Sequence, residues 1–145
     1  MYRIVIPVDD DETRATAAAR FVTALGDESG LDADLGDVSV SIVNVFKEFQ
    51  AIDDGGNVRS KDLYDETEFP ESAVVVRDRL EEAGVAAELV RRHGDPADEI
   101  VDYAESIDAD VVVVSGRDRS PVGKAVFGSV TQDVILKSQR PVTIV

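Results

Sequence analysis

Apolar positions follow two periods along this chain, and the two periods alternate. Short apolar runs rich in β-branched residues have the length of buried strands. Between them, apolar residues recur every three or four positions, as on one face of an amphipathic helix. The pattern predicts strands at 3–8, 38–45, 86–92, 111–114 and 142–145. It predicts helices at 13–25, 71–83 and 96–107, and one more from residue 129.

Local sequence marks some of these elements more clearly than others. Asp95 is predicted to cap the third helix because Pro96 follows it at the first helical position. Ser129 is predicted to open the fourth helix in a capping box with Gln132. The run VVVV at 111–114 predicts a strand buried on both faces, as in parallel sheets. Residues 47–70 are polar, and we expect a long irregular loop there.

Five strands joined by helical crossovers predict an α/β fold, an open five-stranded parallel sheet with helices on both faces. If the chain winds one way through strands one to three and then returns, the strand order is 3-2-1-4-5. Strands one and four are then neighbours, and ligands of such sheets bind at their carboxyl ends. Two segments would meet at that point, PVDDD after strand one and SGRDRS after strand four.

The strongly negative charge of the chain narrows the choice of partners. Thirty acidic residues stand against 15 basic ones, which gives a formal net charge of −15. Such an excess opposes compaction in dilute buffer, but in about 1 M salt the Debye length falls to about 3 Å and the repulsion shrinks. The composition therefore indicates adaptation to a salt-rich cytoplasm. It disfavours nucleic-acid binding, which needs a basic face.

Composition also bounds location and chemistry. Apolar residues are 43% of the 145, enough for one globular domain and too many for a disordered acidic segment. Acids appear too early for a signal peptide, and no apolar run reaches the roughly 18 residues of a membrane span. We expect a cytoplasmic protein with no membrane contact. The absence of cysteine excludes disulfides and thiolate chemistry.

Four consecutive acids, residues 9–12, follow the first strand and allow three interpretations. They could form the Mg²⁺ pocket of a phosphorelay receiver, supply one aspartate of a nucleotide site, or begin a helix with no chemical role. A receiver also needs an aspartate after strand three and a lysine after strand five. Asp95 is the only candidate for the aspartate, and it is better explained as a helix cap. The receiver interpretation is therefore disfavoured.

The segment 115–128, SGRDRSPVGKAVFG, is basic within an acidic chain. Arg117, Arg119 and Lys124 stand against the single acid Asp118, and the segment leads into a helix start, where free N–H groups favour an anion. The segment therefore indicates a phosphate cradle, although the bases could instead only neutralise nearby acids and cap helices. The spacing is not that of a Walker A loop, since Ala125 follows Lys124 where serine or threonine is required.

Nearly the whole chain resembles the universal stress protein family, and its acidic composition resembles a haloarchaeal type. The resemblance is carried by IVIPVDD at the start, the long loop after strand two, GDPADEIVDYAESIDADVVVVSG, FGSVTQDVI and the closing RPVTIV. It implies the Rossmann-like fold of adenine nucleotide alpha-hydrolase relatives. It also implies ATP or another adenine nucleotide as ligand, with Mg²⁺ as a possible companion, bound between strands one and four.

The same resemblance assigns roles to particular residues. Asp9 is similar to the family's aspartate near the adenosine. Val45 is similar to the residue whose backbone meets the adenine. Ser129 and Val130 would offer main-chain N–H groups to the phosphates.

The chain departs from the family's nucleotide motif G-x2-G-x9-G-[ST]. Gly128 and Ser129 fit its last pair, but Ser115 and Asp118 stand where the first two glycines belong. Starting the motif at Gly116 leaves one residue too few. Glycine there lets backbone approach a phosphate, whereas Asp118 adds a carboxylate beside it. Arg117 and Arg119 would then compensate by pairing phosphate oxygens.

Two alternatives to a nucleotide-binding protein differ in how well the sequence supports them. A hydrolase built on His93 lacks a nucleophile elbow, and a histidine beside two arginines at a strand end is expected to be a solvated loop residue, so no fast chemistry is expected. The stronger alternative is a stress protein without nucleotide that acts through an unknown protein partner. Under either hypothesis the apolar strand Val142–Val145 predicts a homodimer, because an exposed apolar edge strand tends to pair.

Overall fold

The structure, a computed structural model, describes residues 1–27, 35–46, 50–53, 56–59, 69–119, 125–126 and 128–145. At 27, 50–53, 56–59, 117–119 and 125–126 the description extends to the backbone only. The main strands are β1 (Tyr2–Pro7), β2 (Val38–Phe46), β5 (Ala86–His93), β6 (Val111–Val114) and β9 (Val142–Ile144). The α-helices are α1 (Glu12–Asp27), α2 (Glu71–Glu82), α3 (Pro96–Ser106) and α4 (Ser129–Lys137), and a short 3-10 turn covers Leu35–Asp37.

The five main strands form one parallel sheet in the order β5-β2-β1-β6-β9. In chain order this is 3-2-1-4-5, so the predicted topology is confirmed. Successive strands are added toward one edge of the sheet up to β5 and toward the other edge from β6 onward, so β1 and β6 are neighbours. Ile4 pairs with Val111 and Val5 with Val112. The carboxyl ends of β1 and β6 therefore lie side by side.

Two apolar layers cover the sheet, one on each face. Helices α1 and α2 pack on one face through residues such as Val22 and Leu80. Helices α3 and α4 pack on the other through residues such as Ile100 and Val134. All four valines of β6 are buried, and they alternate between the two layers. A parallel strand covered on both faces needs such a continuous apolar run, so the prediction for 111–114 is confirmed.

Helix starts agree with the sequence at Asp95 and disagree at Ser129. Asp95 caps α3, with its carboxylate accepting from the Asp98 N–H at 3.1 Å. The capping box at Ser129 is wrong: Gly128 is the N-cap of α4, and Ser129 is already the first helical residue. The Gln132 N–H donates to the Gly128 carbonyl at 3.1 Å, which sets the helix start one residue earlier than expected.

Two small hairpins were not predicted. The stretch expected to be irregular contains an antiparallel pair of strands, β3 (Gln50–Asp53) and β4 (Gly56–Arg59). The basic segment contains another pair, β7 (Arg117–Arg119) and β8 (Ala125–Val126). Short polar strands carry little apolar alternation, so the hydrophobic pattern does not reveal them.

Candidate functional site

A cavity of about 540 Å³ opens at the carboxyl end of the sheet, where the strand order reverses. Its volume falls within the range of small-molecule sites, about 300–1,000 Å³. The segments after β1, at the end of β2 and after β6 contribute to its lining, together with α1, α3 and α4. The topology therefore brings together the two segments that the sequence predicts to meet.

One wall of the cavity is apolar and is built from the α3 and α4 side of the sheet. Val45, Ile100, Val114, Val130 and Val134 all line it. Ile100 and Val134 belong to the buried core, so this wall is fixed by the same packing that holds the helices. Such a surface suits the face of a planar, weakly polar group.

The acid cluster after β1 divides into separate roles. Asp11 caps α1, with its side chain accepting from the Arg14 N–H at 2.9 Å. Glu12 opens the first turn of that helix, where a negative charge is favoured. Asp9 and Asp10 line the cavity. The helix-start interpretation thus accounts for two of the four acids, and two remain at the site.

The Asp9 carboxylate is held at both oxygens. Oδ2 accepts from Arg14 Nη2 at 2.6 Å, and Oδ1 accepts from the Asp11 N–H at 2.9 Å. Arg14 also pairs with Asp11 through Nη1 at 3.3 Å. The hydrogen bond to Asp9 raises the pKa of the Arg14 guanidinium above its usual value. Arg14 also lines the cavity, and the sequence pattern did not single it out.

Residues 115 and 116 use their donors within the protein. The Ser115 hydroxyl donates to the Arg14 carbonyl at 2.6 Å, and the Gly116 N–H donates to the Val145 carbonyl at 3.0 Å. Ser115 lines the cavity, whereas Gly116 is not among its described lining residues. Both residues were candidates for holding phosphate, and the structure places these two donors on backbone carbonyls instead.

The first turn of α4 reaches the cavity from the second residue after Gly128. Val130 and Thr131 line the cavity, while Gly128 and Ser129 are not among its described lining residues. The first N–H groups of any helix have no partner within the helix, which makes them donors for an anion. For Arg117, Asp118 and Arg119 the backbone forms β7, and their side chains lie outside the described residues. Lys124 lies outside them as well.

A cation–aromatic column at the β2 and β5 ends was missed by sequence reasoning. The Arg91 guanidinium lies 3.5 Å from the centre of the Phe46 ring and 5.7 Å from that of Phe69, and all three residues line the cavity. His93 stacks on Phe46 with ring centres 5.8 Å apart. The expectation of a solvated loop histidine is wrong, because His93 ends β5 and its ring nitrogens are buried.

The register of β2 and β5 explains this column. Phe46 pairs with His93, and Asn44 pairs with Arg91, so the four side chains lie on one face of two adjacent strands. Asn44 is buried and donates through Nδ2 to the Val8 carbonyl at 3.1 Å, which ties the β2 end to the β1 end. No sequence signal short of the strand pairing could have found these contacts.

A metal site is not supported by the described part of the chain. No group of three or more Asp, Glu or His side chains there is placed to hold a cation. The Asp9 oxygens already accept from Arg14 and from backbone. Among the helices that the structure describes, none is both long enough and apolar enough to cross a bilayer.

Comparison with known proteins gives a consistent family. The model of the universal stress protein family matches residues 1–145. Universal stress protein MJ0531 of Methanocaldococcus jannaschii is 30% identical over 143 residues, covering 99% of this chain and 81% of that protein. Stress response protein NhaX of Bacillus subtilis is 44% identical over 52 residues, which are 36% of this chain but only 31% of that protein.

Two solved structures from Archaeoglobus fulgidus share the fold. One universal stress protein superposes with a TM-score of 0.71 and 30% identity, covering 99% of this chain and 98% of the other. A second, solved in complex with dAMP, gives a TM-score of 0.65 and 25% identity, covering 99% of this chain and 97% of the other.

Proposed function

The chain belongs to the universal stress protein family, and from this premise we propose that it binds an adenine nucleotide in the cavity between β1 and β6 and acts as a stress-response sensor or adaptor. The observation that carries the proposal is the position of this cavity, at the carboxyl ends of the strands where the order reverses. A relative of 25% identity that was solved with dAMP supports the choice of ligand class.

Residues that line the cavity, together with the adjoining start of α4, would hold the base, the ribose and the phosphate of a nucleotide. The apolar wall around Val45 would hold the base, with the Val45 backbone pairing its edge. Asp9 would accept a hydrogen bond from a ribose hydroxyl, as an acidic residue does in dinucleotide-binding folds. The α4 start, Ser129 and Val130, would donate main-chain N–H groups to phosphate.

The phosphate end is where this chain would differ from its relatives. Ser115 and Gly116 already donate to protein carbonyls, so we place the grip on the α4 start and on Arg117 and Arg119. Asp118 in this segment would oppose a second or third phosphate. If ATP is the ligand, its Mg²⁺ would be held by phosphate oxygens and water, since the described residues offer no cation site.

Equilibrium dialysis of AMP, ADP and ATP, with and without Mg²⁺, tests the proposal. The double variant Arg117→Ala, Arg119→Ala is expected to weaken the binding of ATP more than the binding of AMP. Its control is Arg77→Ala, Arg79→Ala, which also removes two positive charges, but from residues of α2 that do not line the cavity. Wild-type protein that binds none of the three nucleotides would refute the nucleotide function.

A cavity-filling variant separates this site from any other. Thr131 lines the cavity, so Thr131→Trp should abolish nucleotide binding. Leu136→Trp is the matched control, because Leu136 lies on the same helix and is 82% exposed. Binding that survives Thr131→Trp would move the ligand elsewhere on the protein.

A dimeric stress protein without nucleotide is the second candidate, with an unidentified protein partner. Strand β9 is an edge of the sheet, and Ile144 is 43% exposed on it. We propose a homodimer through the segment Val142–Val145 under either function. Val142 packs against the α3 and α4 layer, so Ile144 is the residue to substitute when the interface is tested.

Three further expectations are proposals of the same kind. The chain forms a single universal stress protein domain, it works in the cytoplasm, and its −15 net charge is an adaptation to high salt. Unfolding in urea at about 0.1 M and about 2 M KCl tests the last, because screening of self-repulsion should raise the free energy of unfolding at the higher concentration. Equal stability at both would contradict it.

A further inference from the structure

Arg14 lines the proposed nucleotide site and pairs with two carboxylates there. Its guanidinium uses two different nitrogens for two different carboxylates, Nη2 for Asp9 at 2.6 Å and Nη1 for Asp11 at 3.3 Å. Asp11 is itself fixed as the cap of α1. The guanidinium therefore bridges a fixed cap and the carboxylate that faces the cavity.

The two contacts to the Asp9 carboxylate fix its orientation and still leave it able to accept a hydrogen bond from a ligand. Each carboxylate oxygen has about two acceptor positions, and the structure fills one on each oxygen, with Arg14 on Oδ2 and the Asp11 N–H on Oδ1. The Asp9 side chain is 57% exposed and lines the cavity. The remaining acceptor positions can therefore reach a ligand while the plane of the carboxylate is held.

The backbone on both sides of this pair is also anchored. The Ser115 hydroxyl donates to the Arg14 carbonyl at 2.6 Å and joins α1 to the end of β6. The Ser72 hydroxyl donates to the Asp9 carbonyl and joins the same pair to α2. These two bonds fix the backbone positions from which both side chains of the ion pair extend.

We propose that Arg14 is a positioning residue that orients Asp9 for a ribose hydroxyl and thereby sets a preference for nucleotides that carry this hydroxyl over the deoxy analogue that lacks it. The proposal rests on the proposed nucleotide function. Arg14 acts through Asp9 and not by direct contact with the ligand. Its effect on this preference should therefore vanish when Asp9 can no longer act as a charged acceptor. Arg14 also offsets one of the four acids of residues 9–12, which lowers the repulsion of any anionic ligand.

The test measures selectivity, not affinity alone. Dissociation constants are determined by calorimetry for AMP, 2′-deoxy-AMP and 3′-deoxy-AMP against the wild type, Arg14→Gln, Arg14→Lys, Asp9→Asn and the double variant Asp9→Asn, Arg14→Gln. The three ligands carry the same charge, so the electrostatic effect of losing Arg14 cancels in the ratios of their dissociation constants. Arg77→Gln is the control, since it removes a half-buried, Asp78-paired arginine that does not line the cavity.

A hydrogen bond to a charged acceptor corresponds to about 10-fold to 100-fold in affinity, which sets the preference expected of the wild type for AMP over one deoxy analogue. Arg14→Gln should reduce that preference to about threefold or less, because Asp9 can then rotate. Arg14→Lys, which can still pair with Asp9, should give an intermediate value. Arg77→Gln should match the wild type.

The outcomes separate the two proposals. If the wild type binds no adenine nucleotide, the nucleotide function fails and this inference fails with it. If the wild type binds AMP and Arg14→Gln keeps the full preference, only the positioning role is overturned. A further loss of preference when Arg14→Gln is added to Asp9→Asn would also overturn it, because Arg14 would then act on the ligand independently of Asp9.

Discussion

Ser115 lies where the resemblance to the family's nucleotide motif predicts a glycine, and it joins two distant parts of the fold. Substituting it tests what this residue contributes to each. Its hydroxyl donates to the carbonyl of Arg14, 101 residues earlier in the chain, at 2.6 Å. Ser115→Ala deletes this hydrogen bond and little else. Ser115→Gly deletes it and also restores the family's residue, with its greater backbone freedom.

The expected loss of stability depends on whether the Arg14 carbonyl keeps another hydrogen bond when the Ser115 hydroxyl is removed. The Arg14 carbonyl lies within α1, where it also serves the helix ladder, so losing the hydroxyl does not orphan it. Ser115→Ala should therefore lower the free energy of unfolding by about 0.5–1.5 kcal/mol, the net value of one hydrogen bond. In a chain of this size that corresponds to a fall in Tm of about 2–4 °C per kcal/mol. Ser115→Gly should cost up to about 1 kcal/mol more, through its unfolded-state entropy.

Urea unfolding followed by far-UV circular dichroism, at one fixed KCl concentration, measures both variants. Ser115→Thr is the control, because it keeps the hydroxyl and should stay near the wild type. Wild-type stability in Ser115→Ala would contradict the prediction, since the hydrogen bond would then contribute nothing. AMP binding by the same proteins adds a second test: if backbone at 115 approaches phosphate, Ser115→Gly should bind more tightly than Ser115→Ala.

Three further predictions concern other parts of the structure. Asp95→Ala should lower the free energy of unfolding by about 1 kcal/mol in urea titrations, while Asp95→Asn should keep most of the cap; equal losses in both would exclude capping as the cause. Burial raises the pKa of the Tyr103 phenol above its usual 10.0. The stability that this shift contributes is therefore complete below pH 10.0 and is lost as the pH rises through the folded-state pKa. Tyr103→Phe should flatten the alkaline fall in stability, and parallel wild-type and variant curves would contradict this. Ile144→Lys should yield monomers by analytical ultracentrifugation if β9 forms the dimer interface, and a persistent dimer would place the interface elsewhere.

The main sheet and the helices that cover it could be predicted from the sequence, because each of their signals is carried by neighbouring residues. The four valines of β6 indicate a strand covered on both faces whatever surrounds them. Asp95 and Pro96 set a helix start through backbone geometry that extends over only a few residues. Alternating strands and helices with right-handed crossovers leave few possible strand orders, so the position of the cavity follows from the topology.

The contacts among the polar side chains of the cavity could not be predicted, because they form between residues that meet only in the folded chain. The bond from Ser115 to Arg14 joins residues 101 apart, and the Arg91 column depends on the register of β5 against β2. Gly128 in place of Ser129 as the cap of α4 depends on how the chain enters that helix. Asp9 and Arg14 lie five residues apart, but that spacing only permits their contact. Composition and periodicity encode which residues are buried, whereas partners among polar side chains are fixed by distances that exist only after the sheet has formed.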